Sequence, residues 1–409
     1  MNLVRKVQRF VARIPGIGLT LVVPNTATFL VRAWVRASRV PIHPDLPAAP
    51  LSLGMAAQVA LDEMVLGVMR SPRNHPHRQD YTRVSGELRD ALALYESKGW
   101  IEDPSSYHRV PPPLTVAGRE SGSTRGVAFE HLVWESGYAP HRGEPGGERW
   151  QSHMSNLTAH AYLVRSPVPT DTWLVCVHGF GMGTTLTGFH AFRAKKIAEE
   201  LGCNLAFPVL PMHGLRKDSR LSGTDFMSYD LMHQVFGLSQ ATWDVRSLVS
   251  WLQKEEGAAQ FGLYGISLGA YAGSLIAGLD NGFELIIAGI PASDFPRLFR
   301  HHSPTRLRRR ALEHGMLGEV PALVHRVVSP LVFEPRVAPE RRFIYGALGD
   351  RMALPQQAHE LWNHWDRPRI KWLNGAHVTS VISSSVDDFV AEALVDTGFL
   401  TPKTELASV

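Results

Sequence analysis

From about residue 127 onward the chain alternates short apolar runs with stretches of helical periodicity, and that alternation restricts the fold more than any other feature of the sequence. The runs "AFEHLVWES", "HMSNLTAHAYLV", "WLVCVHG", "NLAFPVLP", "QFGLYGI", "LIIAGIP", "RFIYGALG" and "IKWLNG" read as strands. Stretches such as "HAFRAKKIAEEL" and "ATWDVRSLVSWLQKEE" read as helices between the later ones. Strands joined in this way imply an α/β chain with a mostly parallel central sheet and helices on both faces. At 409 residues, with 44% apolar and 20% charged side chains, the chain has material for a large core.

In such a sheet ligands bind beyond the carboxyl ends of the strands, so the residues that follow each strand are the ones to inspect. "GLYGISLGAY" places Ser267 between Gly265 and Gly269 where a buried strand turns into a helix. Two residues without Cβ atoms let strand and helix approach closely, so the bend presents the Ser267 hydroxyl at the sheet edge beside the Leu268 N–H. After "WLVCV" come His178, Gly179, Phe180 and Gly181, whose glycines allow a sharp turn. The N–H groups of Phe180 and Leu268 would then be two donors to a developing oxyanion, worth roughly 3 kcal/mol each. Asp350 follows "RFIYGALG" and His377 follows "IKWLNGA", so Ser267, Asp350 and His377 are expected to converge. The chemistry needs that set: serine becomes a good nucleophile when a histidine takes its proton and a carboxylate holds the ring in the right tautomer.

Other residues compete for roles. Asp294 follows the preceding strand and is the alternative acid, while His178, Gly179 and His213 are candidates for shaping the loop and meeting substrate. In "PVLPMHGLR", His213 and Arg216 either contact substrate or belong to a turn. His75, His77, His301 and His302 read as solvated and join no Cys or carboxylate at ligand spacing, so neither a metal nor another cofactor is expected.

The segments "VHGFGMG", "GISLGAY", "GALGD" and "GAHV", in that order, resemble the oxyanion loop, nucleophile elbow, acid turn and histidine turn of the α/β-hydrolase superfamily. The resemblance covers about residues 127–400 and not the first 120. It implies a serine esterase or lipase-like hydrolase with Ser267 as nucleophile, Asp350 as acid, His377 as base, and Phe180 with Leu268 as oxyanion donors. The reaction implied is cleavage of a carboxylic ester through an acyl-enzyme. An acyltransferase, thioesterase or peptidase would use the same triad, and a non-catalytic lipid-binding protein is the alternative outside enzymes.

The rest of the chain divides into a segment 1–40, a helical extension 41–120, a sheet domain 121–400 and a tail 401–409. Residues 51–100 have helical periodicity, and "VPPPL" with the glycine and serine stretch "GRESGSTRG" closes the extension. Within the sheet domain, residues 296–338 read as a helical cap. Met316, Leu317, Val320, Leu323, Val324, Val327 and Val328 share one stripe of it, which either lines a pocket or packs as a further helix pair. A lined pocket favours an acyl lipid or other lipophilic ester.

The net charge of +4 is unevenly spread: residues 1–40 carry +7 with no acidic residue, leaving the remainder at −3. Basic character this local, without a recognition motif, argues against nucleic acid as a partner. Leu3, Val4, Val7, Phe10, Val11 and Ile14 form an apolar stripe opposite basic residues, and "TFLVRAWVRASRV" repeats the pattern. Contact with an anionic membrane surface is one expectation, and packing on the protein's own body or on a second subunit the other. A spanning helix is not expected, because Pro24 and Asn25 interrupt a stretch already shorter than about 20 residues; no A-x-A-like site marks a signal peptide. Cys176 and Cys203 lie in strand runs and read as reduced, buried thiols of a cytoplasmic protein, peripheral on the inner membrane face if residues 1–40 bind lipid. Oligomeric state is not legible.

Overall fold

A computed structural model describes residues 19–37, 45–70 and 76–400. The expected stripe at residues 3–14 and the tail 401–409 lie outside the described residues.

Nine strands form one sheet in the order β1-β2-β3-β5-β4-β6-β7-β8-β9. They are β1 (Val116–Thr124), β2 (Val127–Glu135), β3 (Thr158–Val164), β4 (Thr172–Val177), β5 (Asn204–Pro208), β6 (Gln260–Ile266), β7 (Leu285–Gly289), β8 (Arg342–Ala347) and β9 (Arg369–Leu373). The pairs among β1, β2, β3 and β5 are antiparallel, and every pair from β5 through β4 to β9 is parallel. Strand β4 lies between β5 and β6, so the chain reverses its direction of travel across the sheet there. Loops leaving β4 and β6 face one crevice at that switch point.

The parallel strands β4 to β8 are buried almost throughout because cores cover both faces. Along β4, Trp173, Val175 and Val177 enter one core while Leu174 and Cys176 enter the other, as the two-residue period requires. Cys176 and Cys203 are buried and unpaired.

Among the helices are α1 (Leu19–Ala37), α2 (Leu53–Met69), α3 (Arg78–Ser97), α4 (Leu231–Glu255), α5 (Leu268–Leu279), α6 (Phe295–His302), α7 (Leu354–His364) and α8 (Ser384–Asp396). Tyr81, Val84, Leu88, Ala91 and Tyr95 recur at helical spacing along α3 and join the core shared with α4 and α5. Val386, Phe389, Val390, Ala393 and Leu394 of α8 cover the opposite face. Helix α1 packs on α2 with Val22 and Ala33 buried, while Val23 and Val31 are 74% and 61% exposed. No helix among the described residues is long and apolar enough to cross a membrane.

Three expectations change. The glycine and serine stretch is strand β1, paired with β2 across the two-residue turn Arg125-Gly126, where both residues have positive φ as a tight hairpin demands. Strand β3 starts at Thr158 and not His153, because Met154–Leu157 form a helical turn that buries Asn156, whose side chain accepts the Met212 N–H at 2.8 Å. The helix read from His190 breaks at Arg193 (φ 52°), giving helix Thr185–Ala191 and a wide turn Lys196–Glu200. Of the two readings of the stripe from Met316 to Val328, the packed one is seen: Met316, Leu317, Val324, Val327 and Val328 are buried in the core that α3 and α4 share.

Candidate active site

Strand β6 ends at Ile266 and α5 begins at Leu268, so Ser267 alone reverses the chain. Its backbone sits at φ 58°, ψ −114°, a region that costs a non-glycine residue about 1–3 kcal/mol. The Ser267 N–H donates to the Gly289 carbonyl at 2.8 Å, and the Ser267 carbonyl accepts from Ala270 and Tyr271. A Cβ on Gly265 would lie 2.3 Å from the Gly269 carbonyl oxygen, and one on Gly269 would lie 1.8 Å from that of Val177. Larger residues at either position would drive strand and helix apart.

The bend points Ser267 Oγ at His377 Nε2, 3.0 Å away. On the other side of the ring, His377 Nδ1 lies 2.6 Å from Asp350 Oδ2. The other Asp350 oxygen accepts the N–H groups of Met352 at 2.7 Å and Ala353 at 2.8 Å, which fixes the carboxylate after β8. With Nδ1–H donated to Asp350, Nε2 is left to accept the serine proton. Burial opposes a charge on His377, but the Asp350 carboxylate, its hydrogen bond and the Asp62 carboxylate outweigh it, so the pKa rises above the ordinary 6.5.

The loop after β4 lies against the elbow: a Cβ on Gly179 would be 3.1 Å from the Ile266 oxygen and 3.4 Å from Ser267 Cβ. Phe180 and Leu268 line the same cavity as Ser267. His178 and His213 sit behind this loop and do not line it. His178 Nε2 accepts the Leu210 N–H at 3.1 Å and Nδ1 donates to the Gly179 carbonyl at 2.9 Å, and burial lowers its pKa to about 4. His213 Nδ1 donates to the Pro211 carbonyl at 2.8 Å, with the pKa lowered to about 3, again by burial. Both rings are neutral braces. Arg216 is fully buried and paired with Asp244 at 2.7 Å, so it belongs to the core. Asp294 caps α6 through the Arg297 N–H at 3.0 Å.

A cavity opens to solvent beside Ser267, with about 770 Å³ of free space counted together with its mouth. Met227, Phe295, Leu298 and Phe299 supply much of its wall, with Met352 and Ala353 from the acid turn and Leu66, Met69 and Arg70 from the extension. His302, expected in solvent, also lines it and sits 2.9 Å from Arg70 and 2.7 Å from the Met352 carbonyl oxygen. Arg70 and Arg351 both pair with Glu63, whose side chain is 1% exposed. The contribution of α2 was not read from the sequence, although a signal existed. Asp62 and Glu63 are the only charges in Leu53–Met69, and no basic residue stands a helical turn away to pair with them. Charges isolated in an apolar helix need partners elsewhere in the fold.

The strand order, the strained serine elbow and the acid and histidine turns define the α/β-hydrolase fold, and the chain has it. It belongs to one family with the uncharacterized protein Rv2627c of Mycobacterium tuberculosis strain H37Rv, to which it is 37% identical over 384 residues, covering 93% of this chain and 92% of that one. The uncharacterized protein MT2702 of strain CDC 1551 matches to the same extent. No protein-family model matches the chain. Among solved structures, an acetyl xylan esterase from Paenibacillus sp. R4 is 15% identical with a TM-score of 0.47, over 70% of this chain and 89% of that one. A cold-adapted esterase from an Arctic intertidal metagenomic library is 13% identical with a TM-score of 0.45, over 69% and 100%.

Proposed function

We propose that the protein is a serine hydrolase that cleaves a carboxylic ester with an apolar acyl group through an acyl-enzyme. The observation that carries this reading is the continuous hydrogen-bonded line from Ser267 to His377 to Asp350, opening on an apolar cavity. Ser267 Oγ attacks the carbonyl carbon as His377 Nε2 takes its proton, and Asp350 steadies the imidazolium. The tetrahedral oxygen anion accepts hydrogen bonds from the Phe180 and Leu268 N–H groups. Collapse breaks the ester bond and His377 returns the proton to the leaving alcohol. Water, deprotonated by the same ring, then releases the acid and restores Ser267.

Because the cavity wall is largely aliphatic and aromatic, each added methylene of an acyl chain that fits should favour binding by about 0.8 kcal/mol. Hydrolysis of p-nitrophenyl esters from acetate to laurate tests this: kcat/KM is expected to climb with chain length to an optimum and then fall. A flat series would contradict the acyl-pocket reading, and no turnover by the folded protein would contradict ester hydrolysis. Exposed Val23 and Val31, within the acid-free basic segment, support peripheral contact of residues 1–40 with an anionic bilayer.

A further inference from the structure

Helix α2 lies across the two turns that carry Asp350 and His377. Met55, Gln58 and Asp62 recur along one face of it. Met55 Sδ stands 2.3 Å from where a Cβ on Gly349 would be, and Gln58 Oε1 accepts the Thr379 hydroxyl at 2.6 Å. Asp62, fully buried, goes further. Its Oδ2 accepts the backbone N–H of Arg351 at 3.0 Å and of His377 at 2.8 Å, and its Oδ1 accepts that of Val378 at 3.0 Å. One carboxylate thus holds the residue after the acid, the base itself and the residue after the base.

We infer that Asp62 is a positioning residue of the active site, through which the N-terminal extension sets the orientation of His377. This rests on the serine-hydrolase reading above. Three N–H donors call for lone pairs on both oxygens, so the ionised form is the one the site fits. The charged and titratable groups facing it are Asp350, His377, and the Arg351 and Glu63 pair alongside. Burial and the neighbouring Asp350 push the Asp62 pKa up to about 6, against the pull of His377 and the amides. In return the Asp62 charge helps hold His377 above its ordinary value. Two effects follow. The amide clamp fixes the backbone from which the imidazole reaches Ser267, and the second negative charge favours the imidazolium formed when Ser267 attacks.

The test is the rate of Ser267 phosphonylation by a fluorophosphonate as a function of pH. Oγ bonds to phosphorus, His377 takes the hydroxyl proton and fluoride leaves. Asp62→Asn keeps the shape, removes the charge and turns an NH2 toward an amide N–H. It is expected to slow labelling about 10- to 100-fold, the range that small misplacements of reacting groups produce. The acid limb of the profile should also move to lower pH, because His377 loses a charge that raised its pKa. Gln58→Ala, which removes a contact of the same helix without changing charge, should leave that limb in place. Wild-type labelling in Asp62→Asn, or a slower rate with an unmoved limb, would overturn the inference. Should Asp62→Asn not fold by circular dichroism, Asp62→Glu decides: charge kept and carboxylate displaced, it should label at least 10-fold more slowly with the limb near wild type, and a wild-type rate would overturn the clamp. Failure of the folded wild type to label at all would instead remove the hydrolase reading and this inference with it.

Discussion

The sheet domain and the N-terminal extension supply the same site by different means. The sheet places Ser267, Asp350 and His377 on turns that directly follow β6, β8 and β9, so strand order alone brings them together. The extension brings α2 onto those turns from the far end of the chain, 289 to 316 residues away, and holds them by buried charge. It also forms one wall of the cavity. On the proposed reading, the reacting groups all come from one region, while the other sets their geometry and walls the acyl pocket.

The largest effects should separate the regions most cleanly. Ser267→Ala or His377→Ala is expected to lower kcat/KM for a p-nitrophenyl ester by about 10⁴-fold or more, with the melting temperature nearly unchanged in Ser267→Ala. A loss of under tenfold would place the chemistry elsewhere.

Buried charge gives a second comparison. Arg216→Ala leaves Asp244 buried and uncompensated, which should cost about 3–5 kcal/mol in denaturant unfolding. Glu63→Ala in the extension leaves Arg70 and Arg351, whose side chains are 20% and 18% exposed and can turn toward water. The expected cost is about 1–2 kcal/mol. Equal losses would mean that the extension's pairs are as tightly enclosed as those of the sheet domain.

The pH profile sharpens the comparison further. His377 must be neutral to accept the serine proton, and its pKa is raised, so kcat/KM should increase with pH through a midpoint above 6.5. Folding linkage has the opposite sign: the raised pKa stabilises the fold fully below the unfolded value, and that contribution is lost as pH rises through the folded value. A midpoint below 6.5 would show that burial outweighs the carboxylates.

The smallest effect tests the cavity wall. Leu66→Trp should fill space near Met69 and shift the preferred p-nitrophenyl ester toward shorter acyl chains, with about a 10-fold loss on the longest that the wild type accepts. An unchanged preference would remove α2 from the acyl pocket.

Legibility in the sequence followed the range of the interactions. The parallel strands and the elbow could be read because burial on both faces and close approach at Gly265 and Gly269 leave marks within a few residues. Strand β1 could not: its glycines and serines resemble a loop, and only its pairing with β2 across Arg125-Gly126 makes it a strand. The stripe from Met316 to Val328 has the periodicity of any buried helix, which says that it packs but not against what. His302 looked like a surface histidine until α6 brought it to Arg70 and the Met352 carbonyl. Asp62 was hidden most deeply, because its partners are backbone N–H groups, which carry no residue identity in a sequence.

The central claim is that Ser267 is an activated nucleophile. Intact-protein mass spectrometry after exposure to a fluorophosphonate, with peptide mapping of the product, addresses it without knowledge of the substrate. One adduct on Ser267 in the wild type and none in Ser267→Ala is the predicted result. A folded wild type that gains no mass, or an adduct on another residue, would contradict the account.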